Sequence, residues 1–316
     1  MIKNRRSFIV GIKSTSLLPK EKFFLLKYKP WGVILFSRNI HSLSQTRKLT
    51  NNIRSIFKDK KYPILIDEEG GRVSRLKKIQ DNRIFTGNFF GKIYSKDKKK
   101  FINNYKIFTD QISFILNKIG ININTVPVLD LKRKTTSNII GDRSFSSNPK
   151  IVSDIGNYCI SNFKKNNIGT VIKHIPGHGL ATSDSHLSTP IVKKSLNYLK
   201  KNDFIPFKNK QSFFAMTAHI VYKKIDKKYT ATHSKKMISL IRNHIKFKNI
   251  LISDDLSMKS LKFSIEENTI KSFKAGCNIV LHCNGKLKEM IKVAENSPII
   301  NTFIIKKTSE FYKILS

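Results

Sequence analysis

Segment 173–186, KHIPGHGLATSDSH, holds three histidines and one aspartate in a stretch whose glycines and proline favour a loop. Asp184 and His186 are two residues apart, so the carboxylate can orient and polarise the imidazole. Because histidine titrates near neutral pH, such a pair is suited to general acid–base catalysis. Two alternatives remain open at this point: a purely structural loop, and a metal site whose ligands would be His174, His178, Asp184 and His186.

A pair of aspartates in the segment SDDLSM (253–258) is the second candidate for chemistry. The apolar run before it predicts a strand, so Asp254 should end that strand and Asp255 should begin the next turn. A carboxylate at Asp254 can attack the anomeric carbon of a sugar, and water then releases the covalent intermediate with retention of configuration. Asp255 is suited to capping the helix predicted to follow. The alternative is a pair of capping residues without a catalytic function.

Two further segments carry residues suited to holding a polar ligand. In IDEEGGRVSR (66–75), Asp67 follows a strand-like run, and the two glycines let a ligand approach the backbone closely. Arg75 ends this segment. In IIGDRSF (139–145), the Arg143 guanidinium is suited to a carboxylate or an acetamido carbonyl, although an exposed loop arginine is more often simply solvated.

Strand-like and helix-like stretches alternate along the whole chain. Short runs rich in Val, Ile and Phe predict eight strands, at 7–12, 31–36, 62–67, 121–130, 169–174, 213–220, 249–254 and 277–283. Amphipathic stretches between them predict helices, among them 42–59, 101–120, 149–166, 233–247 and 264–276. Eight such units in 316 residues predict an α/β fold, one (β/α)8 barrel domain over residues 1–316, with a doubly wound open sheet as the alternative.

The polar candidates fall at one end of this predicted barrel. Six of them lie at or just after the C-terminal end of a predicted strand: Arg38, Asp67, Asp130, His174, His219 and Asp254. Barrel enzymes place their chemistry at this face. We therefore expect these side chains to converge on one pocket.

The composition bounds the classes of function. The formal charge of +39, from 60 Lys and Arg against 21 Asp and Glu, would by itself indicate a polyanionic partner such as nucleic acid. The basic residues are spread among Asn, Ile and Phe without a basic tail or a nucleic-acid-binding motif, so we expect a lysine-rich surface and no specific nucleic-acid partner. The scarce acids, by contrast, cluster at 67–69 and 254–255.

The cysteines and the apolar runs bear on the compartment. Three cysteines, Cys159, Cys277 and Cys283, form no C-x-x-C pair, which favours a reducing compartment and predicts a cytoplasmic protein. No apolar run approaches the roughly 18 residues of a membrane span, and the N-terminal run SFIVGI is too short for a signal peptide. We therefore expect a soluble protein without a membrane partner, and separately we expect a monomer.

Taken together, these motifs resemble glycoside hydrolase family 3, and within it the bacterial β-N-acetylglucosaminidases of peptidoglycan recycling. The resemblance covers about residues 30–285. Its motifs occur in the order typical of the family: WGVILFSRN, IDEEGGRVSR, PVLD, IIGDRSF, KHIPGHG, DSH, MTAHI, SDDLSM and AGCNIVLHCN. Each motif is modest alone, but the combination is highly specific.

The resemblance implies a single-domain barrel that needs no metal or cofactor. It implies Asp254 as the nucleophile and His186, assisted by Asp184, as the acid/base residue in place of the second carboxylate of an ordinary retaining glycosidase. The implied substrate is a carbohydrate, the nonreducing terminal β-linked GlcNAc of muropeptide fragments such as GlcNAc-anhydroMurNAc, with or without a stem peptide. The implied sugar-binding positions are Asp67, Arg75, Arg143, Lys173 and His174.

The sequence also departs from the family pattern. Glu68 stands where the family usually has Gln, which could alter the charge next to Asp67, while Asp142 replaces a usual Glu and Asn278 a common Asp. The C-terminus is short for the family, so we expect a trimmed last barrel helix. Two questions stay open: whether water or phosphate is the acceptor, and whether the chain is an inactive basic barrel that binds polyanions. Against the second, every matched catalytic position is present.

Overall fold

A computed structural model describes residues 2–133, 139–181, 183 and 188–315, which form ten strands and ten α-helices. The strands are β1 (Arg6–Gly11), β2 (Pro30–Leu35), β3 (Ile64–Ile66), β4 (Ile123–Asn124), β5 (Gly169–Ile175), β6 (Ile191–Val192), β7 (Phe214–Thr217), β8 (Val221–Tyr222), β9 (Ile250–Asp255) and β10 (Ile279–His282). The helices are α1 (Pro19–Tyr28), α2 (Leu43–Phe57), α3 (Gly87–Lys96), α4 (Lys98–Ile119), α5 (Pro149–Lys165), α6 (Leu196–Lys201), α7 (Lys235–Asn243), α8 (Ile265–Ala275), α9 (Leu287–Glu295) and α10 (Thr302–Tyr312).

Eight of the strands close into a parallel barrel. Its order is β1, β2, β3, β4, β5, β7, β9 and β10, and β10 pairs again with β1. The (β/α)8 prediction is confirmed, because each of the eight predicted strands contributes to this barrel and no open sheet forms. The short strands β6 and β8 pair with each other outside it.

Apolar side chains fill the barrel interior, as expected for strands buried on both faces. Trp31 and Phe214 lie near the N-terminal ends of their strands, and their rings are 5.4 Å apart. Phe311 of α10 packs on Phe214, and the Trp31 indole donates a hydrogen bond to Thr308 of α10 over 2.9 Å. Helix α10 therefore covers the N-terminal end of the barrel. Both α9 and α10 follow β10, and the expectation that the last helix is trimmed relative to the family stays a prediction.

The outer helices pack their apolar faces against the strands. The predicted helical stretches correspond to α2, α4, α5, α7 and α8, and each of these begins at a residue whose side chain accepts a backbone hydrogen bond, as expected for an N-cap. Among the described helices, none is at once long and apolar enough to cross a bilayer. With α10 covering the other end, the barrel is accessible at the C-terminal ends of its strands.

Candidate active site

A cavity of about 150 Å³ lies at the C-terminal face of the barrel, where polar side chains from several strands meet. Each predicted nucleophile or sugar-binding residue that the structure describes lines it: Asp67, Arg75, Arg143, Lys173, His174 and Asp254. The remaining walls are formed largely by Phe36, Val73, Ile139, Met216, Met258 and Leu281. The predicted acid/base pair, His186 and Asp184, lies outside the described residues. Of the six strand-end residues expected to converge on one pocket, Asp67, His174 and Asp254 line it, whereas Arg38, Asp130 and His219 do not.

Asp67 and Lys173 form the ion pair at the base of the cavity. Asp67 follows β3 directly, and its Oδ1 accepts a hydrogen bond from Lys173 Nζ of β5 over 2.9 Å. Thr125 also donates to this oxygen, while an Arg75 amino group lies 3.5 Å from Oδ2. Burial alone would raise the pKa of Asp67, but the charges of Lys173 and Arg75 outweigh it and hold that pKa below its ordinary value. Asp67 is therefore an ionised acceptor.

Glu69 is a functional residue that the sequence reasoning did not single out. Its carboxylate accepts two hydrogen bonds from the Arg143 guanidinium, at 2.7 and 2.8 Å, and lies 2.7 Å from Lys173 Nζ. Burial opposes ionisation, yet the charges of Arg143 and Lys173 lower the pKa of Glu69 to about 2. Arg143 is not a solvated loop residue, because its side chain is 12% exposed. The available signal was the acidic cluster at 67–69.

Glu68 has a different function from its two neighbours. Its carboxylate accepts hydrogen bonds from Ser74 and Asn82 and from two backbone N–H groups in the same loop, those of Arg75 and Leu76. Burial raises the pKa of Glu68. Its side chain is not among those lining the cavity. This acidic residue organises the loop that carries Arg75.

Asp130 orients two histidines over the cavity. Its buried carboxylate contacts His174 Nδ1 over 2.7 Å and accepts the backbone N–H of His178 over 2.6 Å. His174 Nδ1 is thereby engaged, so Nε2 is the ring nitrogen left for a ligand. Burial, reinforced by the nearby His174, lowers the pKa of His178 to about 4, which keeps this ring neutral near pH 7. Asp130 was predicted to end the fourth strand and to enter the pocket, but it follows the end of β4 by six residues and holds His174 without lining the cavity itself.

Asp254 lies near the end of β9 and faces the cavity. Its Oδ1 accepts the backbone N–H of Asp255 over 2.8 Å. Burial would raise the pKa of Asp254, but the interactions with the His219 and His174 rings, the hydrogen bond from the Asp255 N–H and the charge of Lys173 lower it. The carboxylate is therefore ionised, as a nucleophile must be.

Asp255 does not cap a helix, contrary to expectation. Its carboxylate accepts hydrogen bonds from the backbone N–H and the hydroxyl of Ser257, and from the backbone N–H of Cys283. These contacts form a turn after β9 and tie it to the end of β10. The next helix, α8, begins only at Ile265, where Ser264 is the N-cap.

His219 and Arg38 support the site without lining the cavity. His219 Nε2 donates to the carbonyl oxygen of Asp255 over 3.1 Å, and its Nδ1 then accepts from the Thr232 hydroxyl over 2.7 Å. Burial lowers the pKa of His219 and favours this neutral form. Arg38 donates to the carbonyl oxygens of Ile12 and Cys283, so it joins the ends of β1 and β10. These two were expected in the pocket and instead brace its wall.

Comparisons with known proteins assign the family. Residues 15–309 match the glycosyl hydrolase family 3 N-terminal domain. A β-hexosaminidase of Neisseria meningitidis is 33% identical over 307 residues, which cover 92% of this chain and 83% of that relative. The chain belongs to glycosyl hydrolase family 3. The resemblance of its motifs is thus confirmed, and this family 3 chain is a glycoside hydrolase of the β-N-acetylhexosaminidase class.

Further relatives agree with this assignment. A β-hexosaminidase of Thioalkalivibrio sulfidiphilus is 30% identical over 281 residues, covering 87% of the family 3 chain and 80% of the relative. Among solved structures, NagZ from Neisseria gonorrhoeae in complex with N-trifluoroacetyl-D-glucosamine is 30% identical and superposes with a TM-score of 0.88, covering 98% of this chain and 90% of that one. The family 3 chain thus shares its barrel fold with this solved structure.

The charge balance in the cavity of the family 3 enzyme bears on its ligand. Four carboxylates and three cations line it, and the contacts above pair most of them with each other. Despite the overall charge of +39, the cavity is therefore not a cationic site. Fixed ion pairs around a small polar cavity are suited to a neutral polyhydroxylated ligand, whose hydroxyls both donate and accept hydrogen bonds.

The described part of the site does not have the geometry of a metal centre. Within the described ranges, no three His, Cys, Asp or Glu side chains are grouped so that they could hold a metal ion. His174 and the backbone of His178 are already held by Asp130. The other two suggested ligands, Asp184 and His186, lie outside the described residues.

Proposed function

We propose that this family 3 barrel, as a single domain over residues 1–316, is a retaining β-N-acetylglucosaminidase. Its substrate would be the nonreducing terminal, β-linked GlcNAc of peptidoglycan fragments such as GlcNAc-anhydroMurNAc, with or without a stem peptide. The observation that carries this proposal is the position of the Asp254 carboxylate near the end of β9, where it faces a cavity lined by paired polar side chains.

In the first chemical step, an Asp254 carboxylate oxygen attacks the anomeric carbon and the glycosidic C–O bond breaks. His186, held by Asp184, gives a proton to the departing oxygen. In the second step the neutral His186 takes a proton from water, and the resulting hydroxide oxygen displaces Asp254 from the anomeric carbon. Two displacements at one carbon retain its configuration, and the enzyme is regenerated.

The sugar hydroxyls would bind to the ion-pair network at the base of the cavity. Asp67 accepts hydrogen bonds and Lys173 donates them, and their 2.9 Å contact fixes both groups before a ligand arrives. His174 and Arg75 would donate to other hydroxyls, and Arg143 would contact the acetamido carbonyl while it stays bonded to Glu69. Such preorganisation reduces the side-chain entropy lost when the substrate binds.

The N-acetyl preference is supported by the relatives. The β-hexosaminidase names of the sequence relatives and the N-trifluoroacetyl-D-glucosamine bound to the gonococcal structure both indicate an N-acylated amino sugar.

The peptidoglycan source is supported by the surface charge, because stem peptides carry carboxylates and a protein of charge +39 attracts them. The three cysteines form no disulfide, which is consistent with a reducing compartment such as the cytoplasm.

The decisive assay incubates the purified protein with GlcNAc-anhydroMurNAc, with and without phosphate. We expect release of GlcNAc in both buffers if water is the acceptor, and GlcNAc 1-phosphate in the second if phosphate is. The Asp254→Ala variant should release neither product, and an exposed Asp81→Asn variant serves as the matched control. Full activity of Asp254→Ala would refute the assignment of the nucleophile.

A further inference from the structure

A basic recess, formed by Arg47, Arg54, Lys60 and Lys61, lies at the opposite end of the barrel from the catalytic cavity. It has a volume of about 500 Å³, within the range typical of ligand sites. It opens between α2, the end of α4 and the residues preceding β3 and β4. The described residues that line it include no carboxylate: the others are Asn117, Gly120, Ile121, Asn122, Asn167 and Leu315.

The two arginines of this recess point at the same place. Arg54 Nη1 and Arg47 Nη1 lie 2.7 and 3.0 Å from the point that a Cβ atom at Gly120 would occupy. Two like charges are therefore held side by side. Burial, and after it the charge of Arg47, lowers the pKa of Arg54 to about 10.

Within the described residues, Arg47 has a hydrogen-bond partner that accounts for its position, whereas Arg54 does not. Arg47 donates to the carbonyl oxygen of Asn117 in the last turn of α4, as a cation at a helix C-terminus is expected to do. Arg54 differs, because its Nε is buried and has no hydrogen-bond partner among the described atoms. The nearby Asp59 contacts Arg5 and the Tyr312 hydroxyl instead.

Two other largely buried arginines have carboxylate partners, and the buried Lys210 donates to the Ser153 hydroxyl. Arg143 contacts Glu69, and Arg5 contacts Asp59. A half-buried arginine beside a second arginine, in an open recess with two lysines at its edge, is the arrangement that a multiply charged oxyanion would stabilise. A guanidinium fork matches the oxygens of phosphate in particular.

We propose that the basic recess binds a phosphate group, free or carried by a small molecule, between Arg47 and Arg54. This site is separate from the proposed hydrolysis and does not depend on it. The glycosidase chemistry does not use the excess positive charge of the chain. A phosphate site in the basic recess would give part of that charge a specific function.

Calorimetric titration of the full chain tests this proposal, with saturating GlcNAc present to occupy the catalytic cavity. The probes are inorganic phosphate, pyrophosphate and adenosine monophosphate, at an ionic strength held constant with sodium chloride. We expect saturable binding at one site, and weakening by about tenfold or more in Arg54→Gln, the effect of losing a charge-assisted hydrogen bond. Tighter binding of the nucleotide than of phosphate would assign an ester-borne group, and the reverse would assign the free ion.

Lys48→Gln is the matched control, because Lys48 is exposed on the same helix, does not line the recess and changes the net charge equally. Its affinity should equal that of the wild type. Equal affinities for Arg54→Gln and the wild type, or an equal loss in Lys48→Gln, would overturn the proposal. If Arg54→Gln does not fold, Arg47→Gln, whose side chain is exposed, is tested by the same criteria.

Discussion

Replacing Glu69 by Gln should destabilise the protein because it removes the charge that two cations share. The Glu69 carboxylate is 5% exposed and contacts Arg143 and Lys173 within 2.8 Å. Its pKa falls from an ordinary 4.5 to about 2 on folding. With about 1.4 kcal/mol for each tenfold change in acidity, ionisation of Glu69 contributes about 3 kcal/mol to the free energy of unfolding.

The sign of the pH dependence follows from the lowered pKa. A carboxyl whose pKa is lower in the folded state contributes stability above its unfolded pKa and loses it as pH falls through the folded pKa. The difference between wild type and Glu69→Gln should therefore be full at pH 6 to 7. It should shrink between pH 4.5 and pH 2, the two pKa values of this group.

Urea unfolding at several pH values measures this difference directly. At neutral pH, about 3 kcal/mol corresponds to a midpoint lowered by about 5 °C in a thermal scan, given about 2.1 cal/mol/K of unfolding entropy per residue. Glu266→Gln, which breaks the partly exposed pair with Lys292, is the control and should change the unfolding free energy by less than about 1 kcal/mol. A Glu69→Gln loss below about 1 kcal/mol, or one that does not vary with pH, would refute the reasoning.

Three further predictions concern activity. Asp67→Asn should lower kcat/KM for an aryl β-GlcNAc by about tenfold to a hundredfold, since it removes a charged acceptor, while exposed Asp81→Asn stays within about twofold. Asp130→Asn should lower kcat/KM by about tenfold or more by releasing His174, and unchanged kinetics would show that this orientation is unimportant. His186→Ala should reduce kcat/KM more for GlcNAc-anhydroMurNAc than for an aryl glycoside, whose leaving group needs little protonation; equal losses would contradict the acid function.

The barrel could be predicted because parallel strands buried on both faces appear as continuous apolar runs. The bounds were least accurate at the fourth strand, predicted at 121–130 and observed at Ile123–Asn124. Pro127 has no N–H to donate to a neighbouring strand. The Asn124 side chain accepts a hydrogen bond from the backbone N–H of Glu68 and donates one to its carbonyl oxygen. A run of apolar residues therefore does not by itself indicate where the strand ends.

The sequence indicated which charged residues belong to the site, but it did not indicate which of them contact one another. Asp67, His174 and Asp254 could be placed at one face because each follows or ends a predicted strand, whereas Lys173 was implied only by the family resemblance. The contact between Glu69 and Arg143 joins residues 74 positions apart and depends on how two long loops fold over the barrel. Likewise, the turn at Asp255 depends on a hydrogen bond from Cys283 on the adjoining strand connection. Neither relation has a local sequence pattern.

Trapping of the glycosyl-enzyme tests most directly whether Asp254 is the nucleophile. The protein would be incubated with a 5-fluoro β-GlcNAc fluoride, whose ring fluorine slows the release step while the fluoride leaving group keeps the first step fast. Peptide mass mapping should find the sugar attached to Asp254, and Asp254→Asn should show no adduct. A sugar attached to Asp255 or to any other residue, or turnover by Asp254→Asn at the wild-type rate, would contradict the proposed mechanism.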